Sequence, residues 1–195
     1  NAALVFDQTA DGTYADVLSG SGTATKNGTG TLTLTGANLH SGLTMINEGV
    51  LVLSGSAANS AHLVGGGAHL TGSGTIGELI VDGTVHPGAA SNSVGMLDTG
   101  DVFLSPGGAL RFDISQAAGT AGTHWDLIDC SGGITVDATE LTPFTVQVVG
   151  APTGFDSSTP WSWKFIEASE GAVNGFADAK FATDATGFTS DMSGG

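Results

Sequence analysis

Basic side chains and cysteine are nearly absent from this sequence. Its 195 residues include only four lysines and arginines and one cysteine, Cys130, and the formal net charge is −15. A nucleic-acid interface needs clustered basic residues that neutralise phosphates, so nucleic acid is excluded as a partner. A single cysteine provides neither a disulfide framework nor a cysteine-based zinc site. We expect Cys130 to be a small, buried, apolar residue.

The sequence also lacks long apolar runs and, before about residue 168, any helical hydrophobic period. No stretch has the length and apolarity of a transmembrane helix or a signal peptide, so direct membrane insertion by this segment is not expected. The chain opens at Asn1 and closes on Ser193-Gly194-Gly195, and we expect a fragment or a processed form. Without helices between strands, ordinary βαβ units are excluded, and the sequence predicts an all-β fold.

Short β-type runs separated by glycine-rich turns fill most of the chain, which contains 32 glycines. In the run 31–35, alternation places Leu32 and Leu34 on one face and threonines on the other. In the run 110–114, the apolar residues are predicted to face inward while Arg111 and Asp113 face outward. The predicted core comprises Leu32, Leu34, Val52, Leu110, Phe112 and Ile114. Strand starts recur about twenty residues apart, which favours a solenoid over a sandwich or barrel.

Several segments resemble one known family of repeats. Residues 26–38 (KNGTGTLTLTGAN) and 40–53 (HSGLTMINEGVLVL) are similar to the two halves of the autotransporter-associated β-strand repeat. Residues 72–77 (GSGTIG) and 85–88 (VHPG) resemble the segment that follows the repeat. The similarity covers roughly residues 13–115. It implies a right-handed parallel β-helix that is extracellular or on the outer cell surface of a bacterium, and it implies no catalytic residue.

The C-terminal third has a different pattern. Trp161, Trp163 and Phe165 alternate with polar residues and predict a heavily apolar strand. Residues 171–188 predict a short helix or loop that caps the open end of the coil, since an uncapped last turn exposes core and unpaired backbone. We therefore expect a single β-solenoid domain over residues 1–195, with coil and strands in 1–168 and a cap or tail in 169–195.

One triplet suggests catalysis. Asp98-Thr99-Gly100 follows two apolar residues and resembles the active-site triplet of aspartic peptidases, in which two carboxylates share one proton. The nearest candidate for the second carboxylate is Asp129, although Asp129-Cys130-Ser131-Gly132 has an extra residue. Asp and Gly are also typical turn residues, so the sequence favours a solvated turn at Asp98 with no carboxylate partner. Catalysis by Asp98 and Asp129 on an extracellular glycoprotein such as mucin remains the alternative.

Metal sites are weakly indicated. A histidine metal site needs several histidines to converge, and stacked coil turns could bring His62 and His69 near each other, but no spacing in the sequence requires it. The five histidines are therefore interpreted as turn and surface residues. The acidic residues of turns could bind Ca²⁺ through carboxylates and backbone carbonyls, but a solvated acidic surface is favoured. They are Asp7, Asp11, Asp16, Glu48, Asp98 and Asp101. We expect no cofactor.

These observations favour a non-catalytic module that acts as a rigid spacer or an adhesive surface, with a host or matrix glycan or glycoprotein as the partner. Besides the peptidase, a third hypothesis is a carbohydrate-binding face that uses Trp125, Trp161 or Trp163, because exposed aromatic rings stack on sugars. Aligned aromatic residues are also typical of a protein core.

Overall fold

The computed structural model describes residues 2–89 and 93–190, and within them nearly all regular structure is β-strand. The one helical segment in this part of the chain is the 3-10 turn Asp178–Lys180. The strands form three parallel sheets of eight, eight and five strands. No helix among the described residues is long and apolar enough to cross a membrane.

Each sheet collects strands from successive turns of the chain. Sheet 1 contains β1 (Ala3–Asp7), β3 (Thr23–Asn27), β5 (Thr44–Ile46), β8 (His62–Val64), β11 (Leu79–Val81), β14 (Val102–Leu104), β17 (Ile134–Val136) and β20 (Val173–Asn174). Sheet 2 contains β2 (Gly12–Tyr14), β4 (Thr31–Leu34), β6 (Val50–Leu53), β9 (His69–Gly72), β12 (Thr84–Pro87), β15 (Ala109–Asp113), β18 (Phe144–Gly150) and β21 (Phe181–Phe188). Sheet 3 contains β7 (Ser56–Ala57), β10 (Thr75–Ile76), β13 (Met96–Thr99), β16 (Leu127–Cys130) and β19 (Ile166–Ala168).

The chain therefore winds as a parallel β-helix. Each turn of the coil contributes one strand to sheet 1 and one to sheet 2, and the five turns from β5 to β19 also contribute one strand to sheet 3. The coil is right-handed, as parallel crossover connections are. The fold predicted from the sequence is confirmed. The first turns repeat every 20 residues, since Ala3 pairs with Thr23 and Ala24 pairs with Thr44. The next two turns are shorter, since Thr44 pairs with His62 and His62 pairs with Leu79. The turns after Leu79 are longer, because their connections carry insertions.

Glycine sets the corner between sheets 1 and 2 in the early turns. Gly28 has φ 73° and Gly49 has φ 70°, a left-handed conformation that glycine adopts without steric cost. A Cβ on Gly49 would lie 2.6 Å from the carbonyl oxygen of Gly28 in the turn below. Stacked corners at this distance exclude a side chain, which explains why glycine recurs at the period of the coil.

The core is built from columns of identical or similar apolar residues. In sheet 2, each residue of one column is the register partner of the next and all are buried: Leu32, Leu51, Leu70, Val85, Leu110 and Val146. Five of the six predicted core residues are confirmed as buried, but the prediction for Val52 is wrong. Val52 faces outward because Leu51 and Leu53 occupy the inward positions of its strand.

The described residues after 168 form β20 and β21 beyond the turn that ends at β19, which is the place predicted for a capping region. Residues 191–195 of the predicted cap or tail lie outside the described residues. The helix or loop predicted over 171–188 is wrong apart from the 3-10 turn, because β20 pairs with β17 and β21 pairs with β18. Strand pairing satisfies the backbone groups that β17 and β18 would otherwise expose. The strand predicted at Trp161 is also misplaced, since β19 begins only at Ile166.

The longest insertions all lie at one corner of the coil, between sheet 2 and sheet 3. The connection from β15 to β16 spans residues 114–126, and the connection from β18 to β19 spans residues 151–165. We call these two segments the loop stack. They contact each other directly, because Gln116 bridges Thr153 and the amide of Ala117 donates to the carbonyl of Thr153 at 3.0 Å.

Candidate functional site

Asp98 and Asp129 are brought together by the register of sheet 3. Asp98 lies in β13 and pairs with Asp129 in β16, on the next turn of the coil. Both side chains are partly exposed, and Glu167 follows Asp129 in the same column. The favoured interpretation of Asp98 as a turn residue is wrong, because Asp98 lies in a strand whose register with β16 sets it opposite Asp129.

The environment of Asp98 favours its protonated form. Partial burial raises the pKa of Asp98, the neighbouring Asp129 carboxylate raises it further, and a hydrogen bond from Thr75 Oγ1 at 3.5 Å opposes the shift. The pair lines a depression of about 490 Å³ on the outer face of sheet 3, together with small residues such as Ser131 and Ser169. A carboxyl group whose pKa is raised beside a second carboxylate is one requirement of an acid–base pair.

A second polar group lies inside the coil near its N-terminal end. His40 Nε2 lies 2.8 Å from Thr44 Oγ1, which lies 2.9 Å from Ser60 Oγ. Ser60 Oγ donates to the carbonyl of Gly42 at 2.7 Å, so Thr44 donates to Ser60 and His40 Nε2 donates to Thr44. The serine hydroxyl is a donor to backbone rather than to a base. This chain of hydrogen bonds fixes side chains and does not activate a nucleophile.

His62 belongs to the same buried region. Its Nδ1 donates to the carbonyl of Ser60 at 3.0 Å, and its Nε2 has no hydrogen-bond partner among the described residues. Burial lowers the pKa of His62 to about 4, the hydrogen bond to Ser60 opposes the shift, and His40 adds to it. The register does not bring His62 and His69 together, because His62 lies in sheet 1 and His69 in sheet 2. The interpretation of the histidines as turn and surface residues fits His69, which is exposed, but is wrong for His62, which is buried.

The third polar group was missed by sequence reasoning. His86, Asp113 and Asp126 are all buried, and His86 Nε2 lies 2.8 Å from Asp113 Oδ2 and 3.8 Å from Asp126 Oδ2. The prediction that Asp113 faces outward is wrong, because residues 114–126 fold back over the end of β15 and bring Asp126 against it. Strand alternation contains no signal for such a cover.

The carboxylate of Asp126 holds two backbone segments together. It accepts hydrogen bonds from the amide of Gly95 and from the amide of Asp113, both at 2.8 Å. Burial raises the pKa of Asp126 to about 8, although both backbone amides favour its ionised form. Arg111 Nε lies 3.2 Å from Asp113 Oδ1 and supplies positive charge at the edge of the cluster.

Aromatic rings gather on the loop stack. The indoles of Trp161 and Trp163 are parallel within 1°, with centroids 6.2 Å apart, and the ring of Phe155 lies 6.4 Å from each. Trp161 Nε1 donates to the carbonyl of Asp156 and Trp163 Nε1 to that of Ala117, each at 2.9 Å. Both indoles are thus fixed in orientation while the two residues remain partly exposed.

Two other residues singled out in the sequence have structural positions. Cys130 is fully buried, its thiol donates to the carbonyl of Gly100 at 2.8 Å, and burial raises its pKa, so it is not an activated nucleophile. Trp125 is also buried, and its Nε1 donates to the carbonyl of Lys164 at 3.2 Å. Trp125 is therefore excluded from an exposed sugar-stacking face.

Comparison with known proteins agrees with the coil geometry. The family model described as passenger-associated-transport-repeat matches residues 25–53, which run from β3 to the end of β6. An extracellular serine protease of Serratia marcescens is 38% identical over 86 residues, covering 43% of this chain and 8% of that protein. The adhesin BmaC autotransporter of Brucella suis biovar 1 (strain 1330) is 38% identical over 133 residues, covering 65% of this chain and 4% of that protein. The chain thus spans less than a tenth of either relative.

Proposed function

We propose that this chain is a non-catalytic spacer that presents an adhesive surface. The premise is its β-helix of the autotransporter passenger type, which contains the repeat predicted from the sequence. As a passenger-type module it is secreted or displayed on the outer bacterial surface. The adhesive surface is the loop stack, and its partner is a glycan of a host or matrix glycoprotein. The observation that carries the proposal is the placement of the longest insertions, with their aromatic residues, at one corner.

The coil supports the spacer role through its regularity. Sheets 1 and 2 each hold eight parallel strands, and neighbouring strands of a sheet are about 4.8 Å apart. The described coil therefore extends roughly 34 Å along its axis. Each turn pairs its backbone with the turns before and after it, so bending the coil breaks several hydrogen bonds at once.

The loop stack supports the adhesive role. In repeat architectures, insertions in successive repeats project on one face, which is often the face that binds. Trp161 and Trp163 offer parallel rings whose N–H groups are already satisfied, so the rings are organised before a ligand arrives. Aromatic faces pack on the C–H faces of sugar rings. The net charge of −15 repels anionic glycans, so a neutral glycan fits best.

Binding to immobilised mucin, before and after enzymatic removal of its neutral glycans, tests this proposal. Trp161→Ala and Trp163→Ala should each weaken binding by about three- to tenfold. This fold-change corresponds to the loss of about 1 kcal/mol of binding free energy per ring. Phe176→Ala is the matched control, because Phe176 is 62% exposed and lies outside the loop stack. Equal binding by all variants, or equal binding to stripped mucin, would reject the loop stack as a glycan surface.

The pairing of Asp98 with Asp129 favours one second candidate, an aspartic-type peptidase that acts on an extracellular glycoprotein such as mucin. Such an enzyme needs a deep cleft that excludes water from the shared proton. The depression beside Asp98 lies on the outer face of a sheet, which argues for the non-catalytic proposal. If the wild-type protein cleaves mucin and Asp98→Asn abolishes the cleavage, the peptidase function replaces the non-catalytic proposal.

A further inference from the structure

We propose that His86, Asp113 and Asp126 form a binding site for one divalent first-row transition-metal ion at the base of the loop stack. The three residues come from separate parts of the chain, namely β12, β15 and the end of the 114–126 loop. All three are buried, with exposed fractions of 5%, 3% and 0%. Their potential ligand atoms lie within 4.8 Å of one another.

The spacing of the ligand atoms suits a small cation. Oxygen and nitrogen ligands that lie about 2.0–2.2 Å from a tetrahedral ion are about 3.4 Å from one another. The distances from His86 Nε2 to the oxygens of Asp113 and Asp126 are 2.8 and 3.8 Å, and they bracket that value. An ion would replace the proton between His86 and Asp113, which leaves to solvent, and the 2.8 Å contact would open by about half an ångström.

Other groups already orient both carboxylates as outer-shell partners do around metal sites. Asp113 Oδ1 faces Arg111 Nε, which leaves Oδ2 directed at His86. Asp126 Oδ1 accepts from the amide of Gly95, which leaves Oδ2 directed at His86, where it also accepts from the amide of Asp113. Such hydrogen bonds fix the direction of metal ligands and are part of their affinity.

The site has access from the surface on two sides. His86 and Arg111 line a depression of about 440 Å³ over sheet 2. Asp113 lines another, of about 270 Å³, beside Val94 and Gly150. These depressions provide an entry path and room for a water molecule as fourth ligand.

The ligand set indicates the class of ion. One imidazole nitrogen with two carboxylate oxygens suits Zn²⁺ or Mn²⁺, whereas Ca²⁺ requires six to eight oxygen ligands. A bound ion would connect β12, β15 and the loop that ends at Asp126. It would therefore stabilise the base of the loop stack independently of whether the stack binds glycans.

The test uses the whole chain after treatment with a chelator, with Zn²⁺ in calorimetric titration and Co²⁺ as a spectroscopic probe. We expect one Zn²⁺ per chain, the visible absorption of tetrahedral Co²⁺, and a rise in Tm of about 5–10 °C at a hundredfold excess of free Zn²⁺ over Kd. His86→Gln and Asp113→Asn should each lower the affinity by more than the roughly 10–100-fold that changes in outer-shell partners cause.

His69→Gln is the control, because His69 is exposed beside the same depression as His86 and should leave Zn²⁺ affinity unchanged. If the cluster is only a buried ion pair, wild-type protein will show neither the Co²⁺ spectrum nor a Tm shift, and the proposal is overturned. Loss of binding in His69→Gln with retention in Asp113→Asn would also overturn it, by placing the ion on the surface.

Discussion

Asp98 and Asp129 lie side by side on adjacent parallel strands, and their equivalent positions place two acidic side chains on the outer face of sheet 3. Like charges directly opposite each other across a strand pair destabilise a sheet. The raised pKa of Asp98 is consistent with this repulsion, although partial burial is the larger cause of the pKa shift. The pair therefore lowers stability at neutral pH unless a proton or a ligand neutralises it.

Asp98→Asn should relieve this repulsion. We expect the free energy of unfolding at pH 7 to rise by about 0.2–1 kcal/mol, measured by urea denaturation. Because the folded-state pKa of Asp98 is raised, its contribution to stability is present at low pH and lost as pH rises through that pKa, so the gain in the variant should shrink on acidification. Casein and mucin should stay intact with either protein, and a lower stability of the variant would contradict the repulsion.

The alternation of buried and outward residues in β4 predicts a strong asymmetry between neighbouring residues. Leu34→Asp places an unpaired charge at a side chain that is 2% exposed, and should cost about 4–5 kcal/mol of unfolding free energy. Thr33→Asp changes the next residue, which faces outward, and should cost less than about 1 kcal/mol. Similar chemical denaturation midpoints for the two variants would show that the inward face of β4 is not core.

His62 predicts a pH dependence of stability. Its pKa is about 4 in the folded chain against 6.5 for an unperturbed histidine, so the unfolded chain binds more protons between these values. Its contribution is complete above pH 6.5 and is lost as pH falls to 4, by about 3 kcal/mol. His62→Gln should flatten this part of the pH profile, whereas His69→Gln, at an exposed position, should keep the wild-type slope.

Lys26 is buried to 1% exposure and donates to three backbone carbonyls, those of Asn27, Gly28 and Glu48, at 2.6–3.2 Å. Lys26→Met retains the apolar stem but leaves these oxygens without their donor, at an expected cost of about 1–3 kcal/mol. Lys164→Met removes an exposed pair with Glu167 and should cost less than about 1 kcal/mol. Thermal melts of both variants measure the difference in stability. Equal losses of stability would show that the hydrogen bonds from Lys26 to the three carbonyls do not stabilise the coil.

The repeats made the fold predictable, because strand alternation and glycine spacing act locally. Leu32 and Leu34 were identified as core from the pattern of their own strand. Val52 was misassigned because four successive apolar residues, 50–53, carry no alternation that distinguishes the inward face. Which residues of β6 face inward is decided by the register of β6 with β4, because Leu51 pairs with Leu32 and Leu53 pairs with Leu34. This register is visible only in the stacked structure.

The polar clusters could not be predicted, since their members come from different turns. Asp113 is buried only because a loop returns to bring Asp126 against its backbone amide. Lys26 is buried because Glu48, one turn later, presents a carbonyl to it. Asp129 was named as a partner for Asp98, but its adjacency depends on the lengths of the intervening turns, which insertions change.

Hydrogen exchange with and without a neutral-glycan mucin fragment tests most directly whether the loop stack is the adhesive surface of a rigid coil. We predict slower exchange on binding in residues 151–165 and in the contacting residues 114–126, with the amides of sheets 1 and 2 protected equally in both states. Slower exchange confined to the outer face of sheet 3 around Asp98 and Asp129, or no change in the loop stack at saturating glycan, would contradict the proposal.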